Sequence, residues 1–266
     1  MTIKVCLAGA TGWAGSALAE AIHAADDMQL VGGVSRTHAG KPLGDVLNDS
    51  GISLTLSGSA AEALNSNCDV FVEYTKPEIA GQNILLALEA GAHVVVGTSG
   101  LTDEDYRRID QAATARGLGV LAAGNFALTA VLLQKFAETA ARYIPHCEII
   151  DYAHAGKADV PSGTVRELAN RLGRIRKSAL DIPLEEIQGP RESRGARLND
   201  TQVHAVRLPG YVIAAEVIFG MPDQKLILRH EAGSGAEPYV AGAMLAIRKV
   251  GTFTGLRRGL DTVMGI

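Results

Sequence analysis

The sequence predicts an α/β chain in two parts, a doubly wound parallel sheet first and a mixed-sheet α+β part after it. Three observations predict this. Short apolar runs alternate with amphipathic helical patterns through the first half, the rhythm of a parallel sheet covered by helices on both faces. A glycine turn follows the first apolar run at once, Gly9-Ala-Thr-Gly12-Trp-Ala-Gly15. From Glu148 onward the alternation gives way to successive strand-like runs with one helix among them.

The elements follow in order. Ile3–Ala8 is a strand-type run broken once by Lys4, and the residues after the glycine turn place Leu18, Ala19, Ile22 and Ala25 at helical spacing. Strand, glycine turn and helix open a dinucleotide-binding (Rossmann) fold, because a Cβ in the turn blocks the approach of a pyrophosphate to the helix amides. Gly9, Thr11, Gly12, Trp13 and Ala14 are therefore cofactor-binding candidates. The spacing is G-x-x-G-x-x-G, looser than the strict fingerprint, and its position after the first strand is what strengthens it. Residues 28–35 form the next strand, which ends in Ser35-Arg36-Thr37-His38 with no carboxylate for a ribose. Arg36 matches a 2′-phosphate through its planar fork, which favours NADPH with NADH as the alternative; a plain surface charge is the competing interpretation. Strands are expected at 70–74, 93–97 and 119–123, and helices at 80–90 and 102–116, the second opened by a Thr102/Asp105 capping box. Later strands are expected at 148–153, 203–208, 212–219 and 225–230, with helices after Thr164 and at 239–249. Residues 177–200 are expected to be a long polar loop.

Within the second part, Lys157-Ala-Asp-Val-Pro-Ser-Gly-Thr164 precedes the amphipathic run 165–172. Pro161 sets a turn, Ser162 or Thr164 can cap the helix, and the first-turn amides with the Lys157 ammonium form a receptor for a carboxylate or phosphate. Alone, the segment is more often an ordinary helix start with a solvated lysine, but the dinucleotide motif upstream shifts that balance.

The glycine turn, Glu73-Tyr-Thr-Lys-Pro77, Val96-Gly-Thr-Ser-Gly100, Gly124-Asn-Phe126, Lys157 to Thr164 and His204-Ala-Val-Arg-Leu-Pro-Gly210 occur in the order seen in 4-hydroxy-tetrahydrodipicolinate (dihydrodipicolinate) reductases. The resemblance covers essentially the whole chain. It implies a Rossmann domain over residues 1–126 with a C-terminal return at 237–266, and a mixed-sheet substrate and oligomerisation domain over 127–236. It also implies a homotetrameric NAD(P)H-dependent oxidoreductase of lysine and diaminopimelate biosynthesis. Tyr74, Thr75, Gly97, Thr98, Ser99, Gly124, Asn125 and Phe126 become further cofactor-binding candidates, with Ser99 standing where the family usually has threonine. His154, Lys157, Ser162, Gly163, Thr164 and Ser99 become substrate-binding candidates, and Lys157 and His154 the catalytic ones.

Two positions depart from the family pattern. The family normally has adjacent histidines before the lysine, the first regarded as the general acid; here Ala153 occupies that place and His154 the second. An arginine usual before the last helix is absent, with Ala236 its nearest counterpart. Protonation then falls to Lys157, His154, Tyr152 or a held water. Two alternatives stay open, a diverged paralogue reducing another carboxylated imine or enone, and a non-catalytic NADP-binding sensor. A short-chain dehydrogenase is excluded, because no Tyr-x-x-x-Lys occurs in the chain.

Composition sets the remaining bounds. A hydrophobic content of 47% with 20% charged residues describes a globular chain, and a formal net charge of −4 argues against nucleic acid as partner. No 18-residue apolar run exists, so no membrane association is expected. Met-Thr-Ile-Lys leads straight into the first strand, so no signal peptide and a cytoplasmic location are expected. Cys6, Cys68 and Cys147 lack metal-ligand spacing and are expected in the core, with no metal site; His204, in an alternating segment, is expected to be structural.

Overall fold

The computed structural model describes residues 2–265. Its chain forms two compact units, one running through Leu128 and joined by Ala236–Gly265, the other spanning Thr129–Gly235.

The first unit opens with β1 (Ile3–Ala8), α1 (Trp13–Ala24), β2 (Met28–Val34), α2 (Leu43–Leu47), α3 (Ala60–Ala63), β3 (Val70–Glu73), α4 (Pro77–Glu89), β4 (His93–Val96), α5 (Asp103–Arg116) and β5 (Gly119–Ala122). The second unit contains nearly all of α6 (Leu128–Ala141), then β6 (His146–Ala153), α7 (Gly163–Ile175), β7 (Ala196–Leu198), β8 (Thr201–Arg207), β9 (Ile213–Met221) and β10 (Gln224–Ala232). The chain then returns to the first unit as α8 (Glu237–Lys249) and β11 (Gly255–Arg258).

In the first unit the strands form one six-stranded sheet in the order β11-β5-β4-β3-β1-β2, every pairing parallel. Strand interiors are near-continuous apolar runs, as a sheet buried on both faces requires: Phe71, Val94, Val96 and Val120 pack with Ile84, Leu88 and Ile109 of the helices. Two glycines set the turn between β1 and α1. Gly9 is left-handed at φ +83°, and a Cβ on Gly15 would lie 2.0 Å from the Gly9 carbonyl oxygen, so only glycine lets the helix start this close to the strand. The capping box on α5 forms through both bonds, Asp105 N–H donating to Thr102 Oγ1 and Thr102 N–H to Asp105 Oδ2.

The second unit is a five-stranded mixed sheet, order β10-β9-β6-β8-β7, with β6 and β8 parallel and the other pairs antiparallel. Burial alternates along β6, so Cys147, Ile149, Asp151 and Ala153 share the inward face. That face packs on α6 and α7 through Leu133, Ala137, Val165, Leu168 and Leu172.

The expected polar loop at 177–200 differs from the structure, which places β7 inside it. Three residues are too few to show a strand period. The pairing is made by the turn Asn199–Asp200, both at positive φ (47° and 63°), which folds β7 back on β8. The short helices α2 and α3 and the edge strand β11, which carries two arginines, also lack a periodic signal. All three cysteines are buried and unpaired, and among the described residues no helix is long and apolar enough to cross a membrane.

Candidate functional site

Two groups of candidate residues lie one in each unit. In the first, the turn Gly9–Gly12 leads into α1, whose N-cap Gly12 provides no side-chain cap and whose first turn has no acidic residue. The opening amides of α1 at Trp13, Ala14 and Gly15 are thus left to an external anion, the arrangement that holds a pyrophosphate. Thr11 Oγ1 lies 2.8 Å from Ser35 Oγ, tying the turn to the end of β2, and Arg36 next to it is exposed.

Tyr74, Thr75, Gly97, Thr98, Ser99, Gly124, Asn125 and Phe126 follow the C-terminal ends of β3, β4 and β5. The Tyr74 ring occupies the space a Cβ on Gly97 would take, 1.7 Å from Tyr74 Cε1, and meets Phe126 edge-on at 6.0 Å between centroids. Burial pushes the Tyr74 hydroxyl well above its ordinary value. Asn125 Oδ1 accepts from Ala127 N–H at 2.8 Å, while Ser99 and Gly124 are exposed, with no atom within 4 Å of a Cβ built on Gly124. The uncapped helix start and this open ledge fit a dinucleotide.

Glu73 organises the ledge, and sequence reasoning passed over it. Its side chain is fully buried. It accepts from Thr75 N–H at 2.7 Å, from the Thr75 hydroxyl, and from Asn83 Nδ2 at 2.9 Å. The Thr98 hydroxyl sits 3.2 Å from the Glu73 carbonyl and 3.4 Å from its Oε1, and Gly97 N–H donates to that same carbonyl at 3.0 Å. Burial pushes the carboxyl up from its usual range, while the bonds from Thr75, Asn83 and Thr98 pull the other way.

In the second unit, β6 ends at Ala153 and the chain turns through His154 to α7. Lys157 N–H donates to the His154 carbonyl at 3.1 Å, and the Lys157 ammonium pairs with Asp159 Oδ1 at 2.7 Å. Ser162 is the cap of α7, its Oγ accepting from Val165 N–H at 3.3 Å. That hydroxyl also donates to Asp151 Oδ1 at 2.8 Å, and Ser162 N–H donates to Asp151 Oδ2 at 2.7 Å. The Ser162 side chain, expected to offer itself to substrate, is therefore committed inside the unit; the donors left at the helix start are the Gly163 and Thr164 amides and the Thr164 hydroxyl.

Asp151 is completely buried and also receives Arg207 Nη2 at 2.7 Å, while the same guanidinium nitrogen donates to the Asp159 carbonyl at 2.9 Å. This clamp holds both ends of the segment from Asp159 to Ser162. Neither residue was singled out from sequence, although a charged residue on the apolar side of an alternating strand is itself a sign of a buried partner.

Ala153 is fully buried and His154 exposed. Tyr152, one of the expected proton sources, points to the opposite face of β6 from Asp151 and Ala153, where it stacks near Tyr211 (5.1 Å) and beneath Arg229 (4.6 Å). Burial, followed by the charge of Glu216, pushes its hydroxyl up, with Arg229 pulling the other way. His204 Nε2 lies 2.7 Å from Glu148 Oε2, a structural pair. Ala236, the counterpart of the missing arginine, precedes α8 in the first unit.

Comparison with known proteins agrees along the whole chain. Residues 3–126 match a family model described as "Dihydrodipicolinate reductase, N-terminus", and residues 129–264 one described as "Dihydrodipicolinate reductase, C-terminus". The chain is 35% identical over 264 residues to a 4-hydroxy-tetrahydrodipicolinate reductase of Desulfitobacterium hafniense (strain DSM 10664 / DCB-2), covering 98% of each. It is 36% identical over 268 residues to one of Thermosynechococcus vestitus, covering 98% of this chain and 97% of that one. A dipicolinate-bound dihydrodipicolinate reductase from Paenisporosarcina sp. TG-14 superposes with a TM-score of 0.88 at 30% identity, over 99% of this chain and 100% of that chain. An amine dehydrogenase from Mycobacterium smegmatis, TM-score 0.67 at 15% identity over 98% of this chain and 96% of that one, shares the fold.

Proposed function

The chain belongs to the dihydrodipicolinate reductase family, and we propose that it reduces 4-hydroxy-tetrahydrodipicolinate with NADPH, a step of lysine and diaminopimelate synthesis. The observation that carries this is the presence, in one chain, of an uncapped dinucleotide helix start and a Lys157–Thr164 loop with an ammonium and free amides. A bound nicotinamide supplies the hydride. The chain's own residues bind and orient. Gly9, Thr11, Gly12 and the α1 amides take the pyrophosphate, and Arg36 takes the 2′-phosphate, which is why NADPH is favoured over NADH. The Lys157 ammonium exchanges Asp159 for a substrate carboxylate, whose second oxygen meets the Gly163 and Thr164 amides. Lys157 and His154 are the loop's groups with a proton to give, since alanine at position 153 has none.

By the same family reasoning, residues 1–126 with 237–266 bind the dinucleotide, residues 127–236 bind substrate and oligomerise, and the protein works as a cytoplasmic homotetramer. A second reading, a reductase of another carboxylated imine or enone, rests on Ala153 and Ala236, which stand where the family usually has a histidine and an arginine.

Steady-state NADPH oxidation with enzymatically generated 4-hydroxy-tetrahydrodipicolinate separates the two. Wild-type turnover supports the first reading. No turnover by the wild type, with NADPH bound and activity appearing in Ala153→His, supports the second. Lys157→Ala is expected to abolish turnover with NADPH affinity intact; an equal fall in NADPH affinity refutes the placement of Lys157 at the substrate.

A further inference from the structure

We infer that Glu73 is a positioning residue: acting through Thr75 and Thr98, its carboxylate sets the ledge on which the nicotinamide half of the dinucleotide rests. The inference rests on the dinucleotide reading above. Sheet order supplies the first part of the argument. With β1 carrying the glycine turn and β2 carrying Arg36, the pyrophosphate lies over β1 and the adenosine over β2. The other half of the ligand must then cross to the opposite side of β1, over the ends of β3 and β4.

Those ends are where Glu73 acts. Its carboxylate takes the amide and hydroxyl of Thr75 on the β3–α4 connection and the amide of Asn83 on α4, with the Thr98 hydroxyl of the β4–α5 connection within reach. Its carbonyl takes Gly97 N–H and Thr98 N–H, at 3.0 and 3.3 Å. The buried side chain therefore joins the β3–α4 connection to α4 and reaches the Thr98 hydroxyl at 3.4 Å, while that hydroxyl also lies 3.3 Å from the Thr75 carbonyl. A fully buried carboxylate is expensive to keep, and no sheet pairing requires one here. A glutamine of the same shape keeps the acceptor for Thr75, and its NH2 donates to the Asn83 carbonyl once that amide is turned over. The role is thus hydrogen-bond geometry. Among the described residues the hydroxyls of Thr11, Ser35 and Thr37 bond to one another, and the cluster meets the glycine turn through the Tyr74 carbonyl packed against Gly9.

The test is calorimetric titration of the full chain with NADPH and with 2′-phospho-ADP-ribose, the same ligand without its nicotinamide. Glu73→Ala is expected to weaken NADPH by about tenfold while 2′-phospho-ADP-ribose stays within about twofold, since the lost acceptor leaves buried donors unpaired only on the nicotinamide side. Glu73→Gln is expected to restore NADPH binding to within about threefold. Should Glu73→Ala fail to fold, Asn83→Ala is titrated in its place, with a smaller NADPH-specific loss expected. Equal loss of both ligands, or loss of neither, overturns the inference, as does a glutamine variant no better than alanine. A wild type that binds neither ligand overturns the dinucleotide reading with it. A wild type that binds NADPH but turns over no substrate touches only the substrate assignment.

Discussion

Replacing Arg207 by methionine tests the clamp on the Asp159–Ser162 segment. Asp151 is wholly buried, and the Arg207 guanidinium lies 2.7 Å from it, with a side chain only 14% exposed. Breaking such a pair from one side typically costs about 3–5 kcal/mol, because a charge is left without its partner. Two donors from Ser162 remain, at 2.7 and 2.8 Å, which puts the expected loss at the lower end of that range. Urea unfolding is therefore expected to show Arg207→Met destabilised by about 3 kcal/mol at pH 7. On the proposed function, the Michaelis constant for 4-hydroxy-tetrahydrodipicolinate is expected to rise as well, because Arg207 Nη2 also holds the Asp159 carbonyl beside the Lys157 partner. A loss under about 1 kcal/mol at pH 7 refutes the reasoning.

Gly97→Ala drives a methyl into the Tyr74 ring at 1.7 Å and is expected to cost about 1–3 kcal/mol and weaken NADPH; combining it with Tyr74→Ala should reveal a coupling of about 1 kcal/mol or more in a double-mutant cycle. Arg36→Ala should weaken NADPH about tenfold and leave NADH unchanged, read from the two Michaelis constants. His93 accepts from Gly119 N–H at 2.9 Å, and burial holds its pKa below the ordinary histidine value, with Asp69 pulling the other way. The unfolded chain then binds more protons between the folded and unfolded values, so stability is present above the ordinary histidine range and lost as pH falls through it. Unfolding midpoints from pH 8 to 5 should therefore decline, and His93→Gln, which keeps an acceptor for Gly119, should decline less.

Much of the fold was legible in the order of residues because its signals are local. The all-apolar runs 70–72 and 94–96, the glycine turn 9–15 and the Thr102/Asp105 box each act within a few residues, so spacing alone places them. The Lys157–Thr164 loop was legible for the same reason, as a turn followed by an amphipathic helix. What the tertiary structure decided is which side chains are already engaged. Ser162 offers a hydroxyl on paper, yet Asp151, eleven residues earlier on β6, takes it. Arg207 reads as a strand-end charge until register lays β8 beside β6, with Ala153 opposite it and the Asp151 carboxylate within reach. Glu73 looks like a lone polar residue in the apolar run expected at 70–74, and becomes the acceptor for Thr75, Asn83 and Thr98 only once two connections and a helix close over it. Periodicity records which face of an element a residue occupies. It carries nothing about the partner across that face, because buried polar groups are satisfied by residues far along the chain, and only the packed structure brings them within hydrogen-bond distance.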